Sequence, residues 1–66
     1  MKPAPNATAH PIRAAILVLL DGDEMTMPEL WRDLPEEATI ATVGYHLAVL
    51  QDADLVDRVG GSFRRT

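Results

Sequence analysis

Ile12, Ala15, Ile16, Leu19 and Leu20 recur at intervals of three, four and one. That spacing lays them along one side of a helix that opens at Pro11, where a missing amide hydrogen costs nothing because it would have no partner. Asp21-Gly22 ends this first helix. Thr26-Met27-Pro28-Glu29 then has the form of a capping box, in which a threonine oxygen and a glutamate carboxylate each take a free backbone donor at a helix start. The second helix is expected from about Met27 to Leu34, with Leu30, Trp31 and Leu34 as its inward stripe. Pro35-Glu36-Glu37-Ala38 follows as a tight connection, since proline disfavours helix at the residue before it.

Thr39 is placed to cap a third helix running to about Ala53, with Val43, Leu47 and Leu50 on one face and Ala41, Thr42 and Tyr45 on the other. Past Asp54 the period changes. Leu55-Val56-Asp57-Arg58-Val59, Gly60-Gly61 and Ser62-Phe63-Arg64-Arg65 read as two short strands about a glycine turn. The expected fold is mainly α with a small β-hairpin: three helices plus a hairpin, spanning residues 10–66. Residues 1–9, MKPAPNATA, have two prolines and no apolar period, and are expected to be a flexible tail.

Length and composition narrow what this pattern can do. A 66-residue chain is at most one small domain, and domains of that size bury only about 60% of the surface of the unfolded chain. The absence of cysteine removes disulfides, thiolate metal sites and cysteine chemistry. The longest apolar run, Ala14 to Leu20, is too short to span a bilayer, and the first residues lack the basic-then-apolar layout of a secretory signal. A cytoplasmic location without membrane association is expected.

The net charge of −4 is unevenly distributed. Residues 1–20 carry Lys2 and Arg13, residues 21–54 set nine acids against Arg32, and residues 55–66 set Arg58, Arg64 and Arg65 against Asp57. The ends are locally basic and the middle is acidic, so the sum does not by itself exclude a polyanionic partner. Catalytic and metal chemistry have no constellation to rest on. His10 and His46 are 36 positions apart with no helical partner. The carboxylates fall on solvated stretches such as Asp21-Gly22-Asp23-Glu24, and Ser62 has no recognisable base. No enzyme, no metal and no cofactor are expected.

His10-Pro11-Ile12-Arg13, Met25-Thr26-Met27-Pro28-Glu29-Leu30 and Thr42-Val43-Gly44-Tyr45-His46-Leu47-Ala48-Val49-Leu50, in that order, resemble the winged helix-turn-helix DNA-binding domain of ArsR-type bacterial and archaeal transcriptional regulators. His10-Pro11-Ile12-Arg13 with Ile16-Leu17 is similar to that family's opening HP-x-R-x-x-IL helix. Met25-Thr26-Met27-Pro28-Glu29-Leu30 looks like its short strand and entry to the second helix. Thr42-Val43-Gly44-Tyr45-His46-Leu47-Ala48-Val49-Leu50 resembles its T-V-S-x-H-L-x-x-L run, and Ala53-Asp54-Leu55-Val56 stands where the family has A-G-L-V.

The resemblance implies a third helix (about 39–53) in the DNA major groove and a wing (about 55–65) along the phosphate backbone. Double-stranded DNA is then the expected partner. Thr39, Ala41, Thr42, Tyr45 and His46 are the expected helix contacts, although His46, beside Leu47, also belongs at the edge of the core. Arg58, Arg64 and Arg65 are the expected wing contacts.

The chain departs from the family on that helix. It has Ile40, Ala41 and Gly44 in place of polar or basic residues, and no Lys or Arg between Asp33 and Asp57. Strong bidentate base contacts are therefore missing. The family's extra dimerisation helices have no counterpart in these 66 residues. Two further readings stay open. One is a winged-helix protein-interaction module or DNA-mimicking adaptor, contacting its partner through Trp31 and Ile40. The other is a homodimer through Trp31 and the first helix.

Overall fold

The computed structural model describes residues 9–66. The tail expected over residues 1–9 lies, apart from Ala9, outside the described residues. The elements run α1 (Pro11–Leu19), β1 (Glu24–Thr26), α2 (Met27–Asp33), α3 (Ile40–Asp52), β2 (Val56–Val59) and β3 (Ser62–Arg65). The strands form one antiparallel sheet in the order β1-β3-β2. This is a winged helix-turn-helix arrangement, mainly α with a small sheet, as the hydrophobic pattern and the family resemblance together led one to expect. β1 is the part that periodicity could not supply. Three residues are too few to show alternation, and their partner strand, β3, lies at the far end of the chain.

Each helix start is closed locally. His10 caps α1, its Nδ1 accepting from the Ile12 amide at 3.1 Å. At α2 the Thr26 amide donates to the Glu29 carboxylate at 2.8 Å, and the Glu29 amide to Thr26 Oγ1 at 3.3 Å. Hydrogen bonding from the Thr26 amide, and then from its side chain, holds the Glu29 carboxyl below its ordinary pKa.

The end of α3 is a Schellman closure, in which the Leu55 amide donates to Leu50 O at 2.9 Å and the Asp54 amide to Gln51 O at 3.0 Å. Asp54 takes the left-handed conformation this requires, at φ 61°. It stands where the resembling family has glycine, the residue that adopts that conformation without a Cβ clash. Gly60, with φ 61°, opens the two-residue β2–β3 turn, whose backbone likewise demands a left-handed residue.

The core is one cluster built from every element except β1: Ile16, Leu17 and Leu20 of the first helical segment, Leu30 and Leu34, Val43, Leu47 and Leu50, then Val56 and Phe63. Met25 of β1 packs against its margin. The inward stripe expected of α2 needs one correction. Leu30 and Leu34 are buried, but Trp31 is 45% exposed, because its Nε1 donates to Ala38 O at 2.9 Å and holds the ring at the mouth of the α2–α3 turn.

Candidate nucleic-acid interface

One face of α3 packs on the core through Val43, His46, Leu47 and Leu50. The face opposite is open: Ile40 is 50% and Tyr45 64% exposed, with Ala41 and Ala48 exposed between and beyond them. This face is uncharged from Ile40 to Ala48 and carries one carboxylate, the exposed Asp52, at its far end. A polyanion approaching it meets a phenol and aliphatic carbon, groups suited to thymine methyls and phosphate oxygens rather than to guanine or adenine edges.

Thr39 and Thr42 sit at the leading end of that face, and both are exposed. Their hydroxyls are largely occupied by a second capping box. Thr42 Oγ1 accepts from the Thr39 amide at 2.9 Å and donates to Thr39 O at 2.9 Å, while Thr39 Oγ1 accepts from the Thr42 amide at 3.2 Å. The Thr42 proton is thereby committed. What Thr42 presents outward is a methyl group and one lone pair, while Thr39 keeps a hydroxyl proton that can turn to Thr42 or to a ligand.

His46 is corrected out of the expected contact set. It is 6% exposed, with its ring 4.3 Å from that of His10 and 5.3 Å from that of Tyr45. A side chain sealed between α1 and α3 cannot reach a groove. Its Nδ1 is buried without a protein hydrogen-bond partner. Burial lowers its pKa below the ordinary histidine value of 6.5, and the nearby His10 and Arg13 charges push in the same direction. The ring therefore stays neutral and acts as packing between the two helices. Separation in sequence hid this pairing; the available clue was that His10 caps α1 while His46 immediately precedes core residue Leu47.

The wing presents its three arginines unequally. The register sets Arg64 opposite Glu24 on one side and Asp57 on the other, so all three share one face of the sheet. Arg64 and Arg65 also line a shallow hollow of about 450 Å³ together with Asp23 and Glu24. Arg58 stands opposite Phe63 instead, its guanidinium carbon 5.8 Å from the ring centroid and its Nε donating to Gly60 O at 3.3 Å. That geometry fixes one cation beside the turn at the wing tip with no acid directly across from it. Among the described residues, the one ion pair within 4 Å is Arg32–Asp33, at 3.8 Å, far weaker as a stabiliser than as a marker of local charge balance. No group of three or more potential metal ligands occurs among the described residues, and no described helix is long and apolar enough to cross a membrane.

Comparison with curated proteins and with solved structures finds no match. A family model described as Helix-turn-helix domain matches residues 8–59, which takes in α1, α2, α3 and the whole of β2. The order of elements, the closed turn between α2 and α3 and this match agree: the chain belongs to the helix-turn-helix domain family.

Proposed function

We propose that this protein is a small cytoplasmic transcriptional regulator of the ArsR type, with α3 entering the major groove and the β2–β3 wing lying on the phosphate backbone. The observation that carries the reading is the open face of α3, with Tyr45 at 64% exposure and no charge before Asp52 at its far end, in a domain whose wing brings Arg58 to its tip. Membership of the helix-turn-helix family supports DNA as the partner in general. Recognition on this reading is mostly positional. Arg58 supplies phosphate attraction, Tyr45 a phosphate or thymine contact, and Ile40 and Ala41 an apolar surface that favours A·T-rich sequence without reading it strongly.

The test is fluorescence anisotropy of a labelled A·T-rich duplex over a salt series. Affinity should fall as salt rises, each direct phosphate contact contributing a slope of about 0.9 in log K against log salt. Arg58→Ala should flatten that slope most and Arg64→Ala least, because Arg64 lies between two carboxylates. A duplex that does not bind even at low salt would favour the second reading, a winged-helix adaptor. The concentration of acids over residues 21–54 is the observation on its side.

A further inference from the structure

An apolar opening among the described residues lies away from the wing. A groove of about 840 Å³ runs between α2 and the start of α3, floored by Pro28, Trp31, Leu34, Pro35, Ala38 and Ile40. Its size is within the range that holds several apolar side chains of a ligand. Trp31 and Ile40 are about half exposed there, and the indole is held in place by its bond to Ala38 O rather than being free to swing inward. Large aromatic and aliphatic side chains fixed at the surface in this way are typical anchors of an interface.

Charge selects among the occupants. Glu29, Arg32 and Glu36 contribute to the walls, with Asp33 and Glu37 exposed alongside. Arg32, the one cation, is taken by Asp33 at 3.8 Å. Among the described residues Glu36 and Glu37 have no cationic partner within 4 Å around an apolar floor, and Glu29 adds a carboxylate held ionised by its bond from the Thr26 amide. A second copy docking by this same face would bring the same acids to the same rim, and a nucleic acid would bring phosphates; both are repelled. A cationic chain is attracted.

We propose that this groove docks a basic polypeptide segment of a partner protein, with apolar side chains seated against Trp31 and Ile40 and lysines or arginines beside Glu29, Glu36 and Glu37. The site is separate from the wing and does not depend on DNA binding. The groove shares Ile40 with the proposed DNA-facing side of α3, so a segment docked there and a duplex would compete for that side chain.

Trp31 is the only tryptophan in the chain, so its emission reports on the groove directly. The probe is a tryptophan-free synthetic peptide of 16 residues with leucines at helical spacing and lysines elsewhere, titrated into the full chain at low salt. The control is the same peptide with glutamates in place of the lysines. The lysine peptide should give a saturable blue shift, with affinity at least tenfold above that of the glutamate peptide. Ile40→Lys, a change at an exposed position, should weaken the lysine peptide at least tenfold while leaving the far-ultraviolet circular dichroism unchanged. Glu36→Lys with Glu37→Lys should do the same and narrow the difference between the two peptides. Equal binding of both peptides, no saturable change, or unaltered affinity in the Ile40→Lys chain each overturns the proposal. So does sedimentation showing that the chain alone already pairs through this face, with Trp31 emission independent of peptide.

Discussion

The two sides of α3 follow opposite rules although they alternate within thirteen residues. On the inner side Val43, His46, Leu47 and Leu50 are sealed against α1 and the sheet, so any change there is felt throughout a domain with few core residues to spare. On the outer side Ile40, Ala41, Tyr45 and Ala48 touch little of their own chain. The inner side holds the fold together, and the outer side is free to carry function. The wing repeats the division, with Phe63 turned to the core and its neighbour Arg64 turned away.

The largest effect expected from breaking this division is at Leu47, which is almost wholly buried. Leu47→Ala should destabilise by about 2–5 kcal/mol, enough to unfold much of the population of so small a domain, as measured by urea denaturation. Next comes the inner histidine. His46 has a folded-state pKa below 6.5, so its stabilising contribution is complete above that pH. As pH falls through the ordinary histidine value of 6.5 the unfolded chain takes up the proton first. Stability should decline from there and level off below the folded pKa. His46→Leu should remove that dependence, and an unchanged pH profile in the variant would assign the slope elsewhere.

Smaller effects probe the boundary between the two sides. Thr39→Ala deletes the cap at the leading end of α3 and should cost about 1 kcal/mol, read as a shift of the thermal midpoint. Gly44 occupies a helix interior, and an added Cβ there would meet Met27 Cε at 3.7 Å, an ordinary contact. Gly44→Ala should therefore stabilise by about 0.5–1 kcal/mol, since glycine is a poor helix former. A loss of stability would mean that α2 and α3 are packed more tightly at this point than the geometry allows. Least affected should be the outer side itself. Tyr45→Ala should change stability by less than about 0.5 kcal/mol while reducing affinity for duplex DNA; a large loss of stability would make Tyr45 a packing residue.

What could be read from sequence was mainly the inner side. Val43, Leu47 and Leu50 declare themselves by spacing, and the Thr26–Glu29 box declares its helix, because both depend on neighbours a few positions apart. The features that stayed hidden are set by contacts between distant segments. His46 meets His10 across two helices, Trp31 is drawn outward by a carbonyl beyond the turn, and Arg64 acquires Glu24 and Asp57 as flanking neighbours only once β1 and β2 pair with β3. Thr42 illustrates the same limit at short range. Its residue type allows both capping and DNA contact, and only geometry reveals that its proton is spent on Thr39 O.

The outer side is tested most directly by amide chemical-shift mapping of the isotopically labelled protein with an A·T-rich duplex at low salt. The account predicts that the amides of Ile40, Ala41 and Tyr45 and of the Gly60-Gly61 turn shift together and saturate in step, while those of the buried Leu47 and Leu50 move little. Shifts that leave the Tyr45 face and the wing tip unmoved, or no shifts at any duplex concentration, would contradict it.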